Sequence, residues 1–263
     1  MEENKKFKLV SSKKNRYLLP NILTLGGVCL GISSIKFSIE GNYGLAVNFI
    51  LIAAILDALD GRIARLIKGT SEFGKELDSL TDFVSFGIAP VFVVYFWNLN
   101  SYGKLGWAIA LIYSLCCVIR LARFNLTKLE ESQKWKNNFF EGVPSPAGGL
   151  LILMPLIYEL TNINLGLNIK IVTPYLTVII AMLLVSKIPT LSLKKISISP
   201  KITIFLLLVI GIIFIALLFY TLETLLVFGV VYLFSIPLSV VVYNNLNKKN
   251  LKKISDDDHE DIL

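Results

Sequence analysis

Eight apolar runs limit what this chain can become: about residues 18–36, 45–66, 78–98, 104–125, 147–162, 171–186, 203–220 and 224–243. A bilayer needs about 20 apolar residues per helical crossing, and most of these runs reach or approach that length. With 54% hydrophobic and only 17% charged residues in 263, the composition argues against a soluble globular domain. The expected fold class is therefore all-α: a single polytopic membrane helix bundle of about eight transmembrane helices. The fifth and sixth runs are the weakest, being short and interrupted by Pro155 and Pro174. Residues 1–17 read as a basic N-terminal tail, 18–243 as the transmembrane domain and 244–263 as a charged C-terminal tail. That last tail, a basic patch followed by an acidic run, is expected to be disordered beyond its first few residues.

The charges give the bundle a direction. If both termini lie on one side, the other side receives only Lys36, Lys104 and Lys170 of the 26 lysines and arginines. The positive-inside rule then places both termini in the cytoplasm. The six cations of residues 1–17 suit an anionic membrane surface. Cys29, Cys116 and Cys117 all sit in apolar runs without a CxxC, which points to buried free thiols and not to a disulfide framework or a zinc site. The single histidine, His259, lies in the acidic tail, which excludes a histidine-based triad or metal cage within the bundle. No nucleic-acid partner is expected.

Against this apolar background four aspartates stand out: Asp57, Asp60, Asp78 and Asp82, in the stretch DALDGRIARLIKGTSEFGKELDSLTD. On a helix the first two are separated by about 60° around the axis and the last two by about 40°, so each pair projects from one face. Gly69, Thr70 and Ser71 allow a break between the pairs. Two antiparallel helices could then aim all four carboxylates at one spot near the cytoplasmic membrane face. Such a cluster is costly in a low dielectric unless cations neutralise it. Two divalent ions would do so, and oxygen-only ligands favour Mg2+, Mn2+ or Ca2+. Small Gly61, Ala64 and Gly74 would let a large ligand or another helix approach the backbone, while Arg62 and Arg65 add positive charge suited to phosphate or to membrane-edge snorkelling.

The spacing Asp57-x2-Asp60-Gly61-x2-Ala64-Arg65-x8-Gly74-x3-Asp78-x3-Asp82 resembles, without a departure, the motif of the CDP-alcohol phosphotransferases. The resemblance implies transfer of a phosphatidyl or similar group from a CDP-linked donor to an alcohol, with release of CMP. It also implies that Asp57, Asp60, Asp78 and Asp82 hold two divalent cations, Mg2+ or Mn2+, with Asp82 doubling as general base. Asp57, Gly61, Ala64, Arg65 and Gly74 would line the CDP pocket. Asn21 and Thr24 would join them, because Pro20-Asn21-Ile22-Leu23-Thr24 resembles the family's entry to its first span. A homodimer follows from the resemblance alone. The expected location is a bacterial or archaeal cell membrane, with the positive-inside rule placing the active site on the cytoplasmic face.

Three further stretches narrow the acceptor: GKELDSLTDFVSFGIAP at 74–90, RLARFN at 120–125 and GVPSPAGG at 142–149. All resemble membrane-spanning phosphatidylserine synthases, which implies CDP-diacylglycerol and L-serine as substrates among the membrane lipids. Serine carries a carboxylate that an arginine fork recognises well, so Arg120 and Arg123 are its candidate partners, and Glu76 is the candidate for its ammonium. The competing readings are a phosphatidylglycerophosphate or inositol-lipid synthase within the same family, and a divalent-cation transporter from another class. A transporter would favour carboxylates near mid-bilayer and repeated halves, neither of which this sequence has.

Overall fold

The computed structural model describes residues 18–67, 69, 71–126, 139–161, 163, 166, 168–191 and 200–260. Helix α1 runs Leu18–Ile39 and turns at Gly41, whose φ is +77°, into α2, Tyr43–Leu66. A third long helix follows in three parts: α3 (Glu72–Asp82), a π-helical turn (Phe83–Ile88) and α4 (Ala89–Trp97). A short 3-10 turn, Leu99–Tyr102, leads to α5 (Lys104–Leu126). The fifth apolar run is two short helices, α6 (Ser145–Ile152) and α7 (Met154–Leu160), divided at Leu153 with Pro155 in the first turn of α7. Helix α8 (Ile169–Val185) contains Pro174, and α9 (Pro200–Phe219) and α10 (Thr221–Glu260) are the last described helices.

The all-α membrane architecture expected from the sequence is observed. Among the described residues, five helices are long and apolar enough to cross a bilayer: Leu18–Ile39, Tyr43–Leu66, Glu72–Trp97, Lys104–Leu126 and Thr221–Leu246. Ile169–Val185 and Leu207–Phe219 are shorter apolar helices. Among the described residues one small sheet accompanies them, which the sequence reading did not anticipate. In it β1 (Phe139–Glu141) pairs antiparallel with β2 (Pro189–Leu191), with Phe140 opposite Thr190. A second difference lies at the C-terminal end. Where the tail is expected to lose structure beyond its first few residues, α10 continues through Glu260; no glycine or proline follows Pro237 to stop it. The expectations for residues 1–17 fall outside the described residues.

Packing is inside-out relative to a soluble protein. α9 and α10 expose Phe205, Leu208, Phe214, Val231 and Phe234, as lipid-facing helices do. The bundle's seams use small residues instead. α1 buries Pro20, Thr24, Gly27, Gly31, Ser34 and Ser38, alternately four and three apart. That stripe lets α1 approach the third long helix closely: a Cβ on Gly31 would lie 3.1 Å from the Ser85 Cα. Ser85 also donates to the Gly27 carbonyl at 3.1 Å. The apolar core behind this seam includes Ile50, Val91, Val94, Ile152, Ile180 and Leu184.

The π-helical turn carries an extra residue per turn, which frees carbonyls from the regular ladder, and apolar surroundings offer no water to satisfy them. α5 supplies the donors. Tyr113 donates to the Phe86 carbonyl at 2.9 Å and Ser114 to the Gly87 carbonyl at 3.1 Å. At one end of the bundle Asn98 and Tyr102 both donate to the Lys170 carbonyl, bringing the 99–102 turn and the start of α8 together. The acidic stretch lies at the opposite end.

Candidate metal centre and substrate cavity

The break between the two acidic segments forms as the sequence predicts. α2 ends at Leu66, the Gly69 amide donates back to the Ala64 carbonyl at 2.8 Å, and Ser71 caps α3 by accepting from the Gly74 amide at 3.0 Å. Glycine at 74 suits this corner: a Cβ there would lie 3.1 Å from the Ser71 hydroxyl and 3.4 Å from Asn21 Oδ1. α3 begins at Glu72, six residues before the apolar onset used to place this span. Asp78 therefore lies inside α3 and Asp82 at its junction with the π-helical turn, and neither is at the start of the long helix.

The two helices bring the acids together. Asp57, Asp60 and Asp78 each offer a carboxylate oxygen, all within 4.8 Å of one another. Asp82 stands beside them, and its Oδ1 is buried without a hydrogen-bond partner. Asp60 is only 3% exposed and accepts from the Thr24 hydroxyl at 2.6 Å. Like charges this close, one with an orphaned buried oxygen, call for cations. The donor set is entirely carboxylate oxygen, so the cluster fits a hard divalent metal.

A cavity of about 290 Å3 opens beside the cluster. Of the residues expected to act there, Asp57, Gly61, Arg65, Asp78, Asp82 and Arg120 line it. Ala58, Phe124 and Pro146 line it too. The last two fall within the RLARFN and GVPSPAGG stretches, but nothing local in the sequence says that these stretches meet. Gly61 leaves open space: a Cβ there would touch nothing within 4 Å. Asn21, Thr24, Asp60, Ala64, Gly74, Glu76 and Arg123 are not part of the lining. Thr24 and Asp60 are buried behind it, and Glu76 is exposed on α3.

Arg120 and Arg123 were expected to share one task, and the structure separates them. Arg120 is 8% exposed, donates to the Ser145 hydroxyl at the start of α6, and lies 5.7 Å from the centroid of the Phe124 ring. Arg123 reaches the C-terminal end of α8, donating to the Val185 carbonyl at 2.7 Å and the Ser186 carbonyl at 3.1 Å. The 60° between the two on a helix is enough to send long side chains to different neighbours. Nearby, Asn125 donates to Ser79 at 3.0 Å, joining α5 to the acid-bearing helix.

The chain's resemblances agree with this geometry. The family model of the CDP-alcohol phosphatidyltransferases matches residues 17–241. The chain is 37% identical over 190 residues to the CDP-diacylglycerol–serine O-phosphatidyltransferase of Mycobacterium leprae, covering 71% of this chain and 62% of that protein. To the enzyme of the same name from Mycobacterium tuberculosis it is 40% identical over 140 residues, 53% of this chain and 49% of that one. It thus spans about half to three fifths of the length of these mycobacterial relatives. The Helicobacter pylori enzyme of that name is 33% identical over 199 residues, 76% of this chain and 82% of the relative. An acid cluster built on two adjoining helices, a cavity edged by arginines and a family match over most of the length lead to one conclusion: this chain belongs to the CDP-alcohol phosphatidyltransferase family.

Proposed function

We propose that this protein is a phosphatidylserine synthase, transferring the phosphatidyl group of CDP-diacylglycerol to L-serine and releasing CMP. The observation that carries the reading is the convergence of Asp57, Asp60 and Asp78 within 4.8 Å, next to an orphaned Asp82 oxygen, on a cavity that also holds Arg65 and Arg120. Asp57, Asp60, Asp78 and Asp82 would hold two divalent cations, Mg2+ or Mn2+. Bound there, those ions would offset the charge of the donor's pyrophosphate.

Each residue then has a task in the chemistry. Arg65 faces the donor phosphates, and Gly61 leaves the backbone open to them. Asn21, Ala64 and Gly74 stand outside the cavity lining and back the CDP-recognising residues. Asp82 accepts the serine hydroxyl proton through its free oxygen. A bond forms between the serine oxygen and the phosphatidyl phosphorus. The bond from that phosphorus to the bridging oxygen breaks, and CMP leaves with the electron pair. Arg120, held by Ser145 and Phe124, takes the serine carboxylate, and Glu76 is assigned to the ammonium. Arg123, engaged with α8, supports the site from behind.

The same reading sets residues 18–243 as the transferase domain, crossing the membrane eight times between cytoplasmic tails. The charge asymmetry of the loops supports this orientation, with the site at the cytoplasmic edge of a bacterial or archaeal membrane. A homodimer is part of the proposal.

The test supplies purified protein with CDP-diacylglycerol, Mn2+ or Mg2+, and one alcohol at a time, and measures CMP. Serine-dependent CMP release is expected, lost in excess EDTA and in Asp57→Asn, Asp60→Asn and Asp78→Asn. CMP release with inositol or glycerol phosphate but not serine would move the acceptor elsewhere in the family. Full activity in EDTA would end the metal reading.

A further inference from the structure

Thr24 sits on α1, and its hydroxyl oxygen lies 2.6 Å from Asp60 Oδ2 on α2. Both residues are buried, at 6% and 3% exposure. Two oxygens that close need a proton between them, and this distance is typical of a hydroxyl donating to a carboxylate. The Pro20 carbonyl, one turn back at 2.9 Å, is the other acceptor within reach of the same hydroxyl. A threonine bonded only to its own helix would leave its oxygen facing a carboxylate with no proton between them. The shorter contact therefore takes the proton.

The placement has a reason in the packing. Thr24 belongs to the small-residue stripe of α1, and the next members, Gly27 and Gly31, bring that helix close to Thr81 and Ser85. On its other side α1 packs on α2, where a Cβ on Gly26 would lie 3.5 Å from the Leu56 side chain, and there the Thr24 hydroxyl meets Asp60. Asp60 does not line the cavity, yet one of its oxygens falls within 4.8 Å of oxygens from Asp57 and Asp78. A carboxylate so placed can swing about its Cβ–Cγ bond unless something fixes it.

We infer that Thr24 is a positioning residue for the metal centre: it locks the Asp60 carboxylate in the orientation that completes the acid cluster, and does not itself contact the nucleotide. This rests on the reading of Asp60 as a metal ligand. Outer partners that orient a ligand commonly change metal affinity by about 10- to 100-fold when removed.

The experiment measures Mn2+ binding to the purified, substrate-free protein by electron paramagnetic resonance, with no turnover required. Four forms are compared: the unaltered chain, Asp60→Asn, Thr24→Val and Thr24→Ser. Valine keeps the volume and branching of threonine and loses the donor; serine restores the donor. Asp60→Asn should abolish at least one bound Mn2+. Thr24→Val should weaken Mn2+ binding about 10-fold or more, and Thr24→Ser should recover most of it. The unfolding temperature of metal-free Thr24→Val, measured alongside, should stay near that of the unaltered chain. If Asp60→Asn binds Mn2+ normally, the metal assignment of Asp60 is wrong. If Asp60→Asn loses Mn2+ while Thr24→Val binds it normally, the positioning role is wrong and the metal reading stands. CMP titrated into metal-free protein gives a third outcome: Thr24→Val weakening CMP while sparing Mn2+ would assign the hydroxyl to the nucleotide and overturn the inference.

Discussion

Arg123 donates to the Val185 carbonyl at 2.7 Å and so ties the end of α5 to the end of α8. The last carbonyls of a helix have no partners within it and carry partial negative charge, so a guanidinium is well suited to them. The Val143 amide meets the Leu183 carbonyl in the same place. Gly142, with φ of +73°, passes so near that a Cβ on it would sit 2.8 Å from the Leu184 and Ser186 carbonyl oxygens.

Arg123→Ala should therefore act on stability. Removing charge-assisted bonds to backbone carbonyls is expected to cost about 1–3 kcal/mol, read as a lower unfolding temperature in detergent. Arg123→Lys should retain part of this through its charge. At a temperature where both variants are folded, the KM for serine should stay near that of the unaltered chain. A large rise in serine KM without loss of stability would return Arg123 to the acceptor site.

Arg120→Lys should show the reverse. The arginine lines the cavity and is held by Ser145 and Phe124, so its fork is already oriented. Lysine keeps the charge and loses the two-pronged geometry. Serine KM should rise about 10-fold or more, with CDP-diacylglycerol binding little changed. Steady-state kinetics with each substrate varied separately decide it; weakened donor binding with unchanged serine KM would place Arg120 on the phosphates.

Gly61→Val tests the donor side. A Cβ at this position meets nothing within 4 Å, so the fold should tolerate the larger side chain. It would project towards the cavity that the CDP moiety needs. The expected result is an unchanged unfolding temperature with kcat/KM for CDP-diacylglycerol down by about 10- to 100-fold. Normal kinetics would show that the donor does not pass close to α2 here.

Asp82→Asn should lower turnover by about 100-fold or more while leaving CDP-diacylglycerol affinity closer to intact, since proton removal is its proposed principal task. Equilibrium binding of the donor, set beside single-turnover CMP release, separates the two effects. Loss of donor binding equal to the loss of rate would make Asp82 chiefly a metal ligand.

The acid cluster was legible in the sequence because its determinants are local. Spacing put Asp57 with Asp60 and Asp78 with Asp82, and Ser71 and Gly69 marked the reversal between them. What the sequence hid depends on distant pairings. Phe124 and Pro146 meet in the cavity only because α5 and α6 adjoin, and the β1–β2 ribbon joins strands of three residues that carry no pattern of their own. Hydropathy also set the start of the third span too late. It registers the onset of apolar residues, whereas the helix starts earlier, at the Ser71 cap. Arg120 and Arg123 looked equivalent because helical phase gives direction, not the identity of what lies in that direction.

The π-helical turn at Phe83–Ile88 joins the half of the third long helix that carries Asp78 and Asp82 to the half that is wedged by Val91, Val93 and Val94 into the core. Such a turn takes up one extra residue while its two flanks keep their phase. Deleting a single residue between 83 and 88 would therefore relax the turn to ordinary α-helix and leave Asp78 and Asp82 facing as before. A second deletion there finds nothing left to absorb it. With α4 anchored, the acidic half would then rotate by about 100°, and both carboxylates would turn away from Asp57 and Asp60. The membrane protein would remain, and its acid cluster would be dismantled by rotation alone.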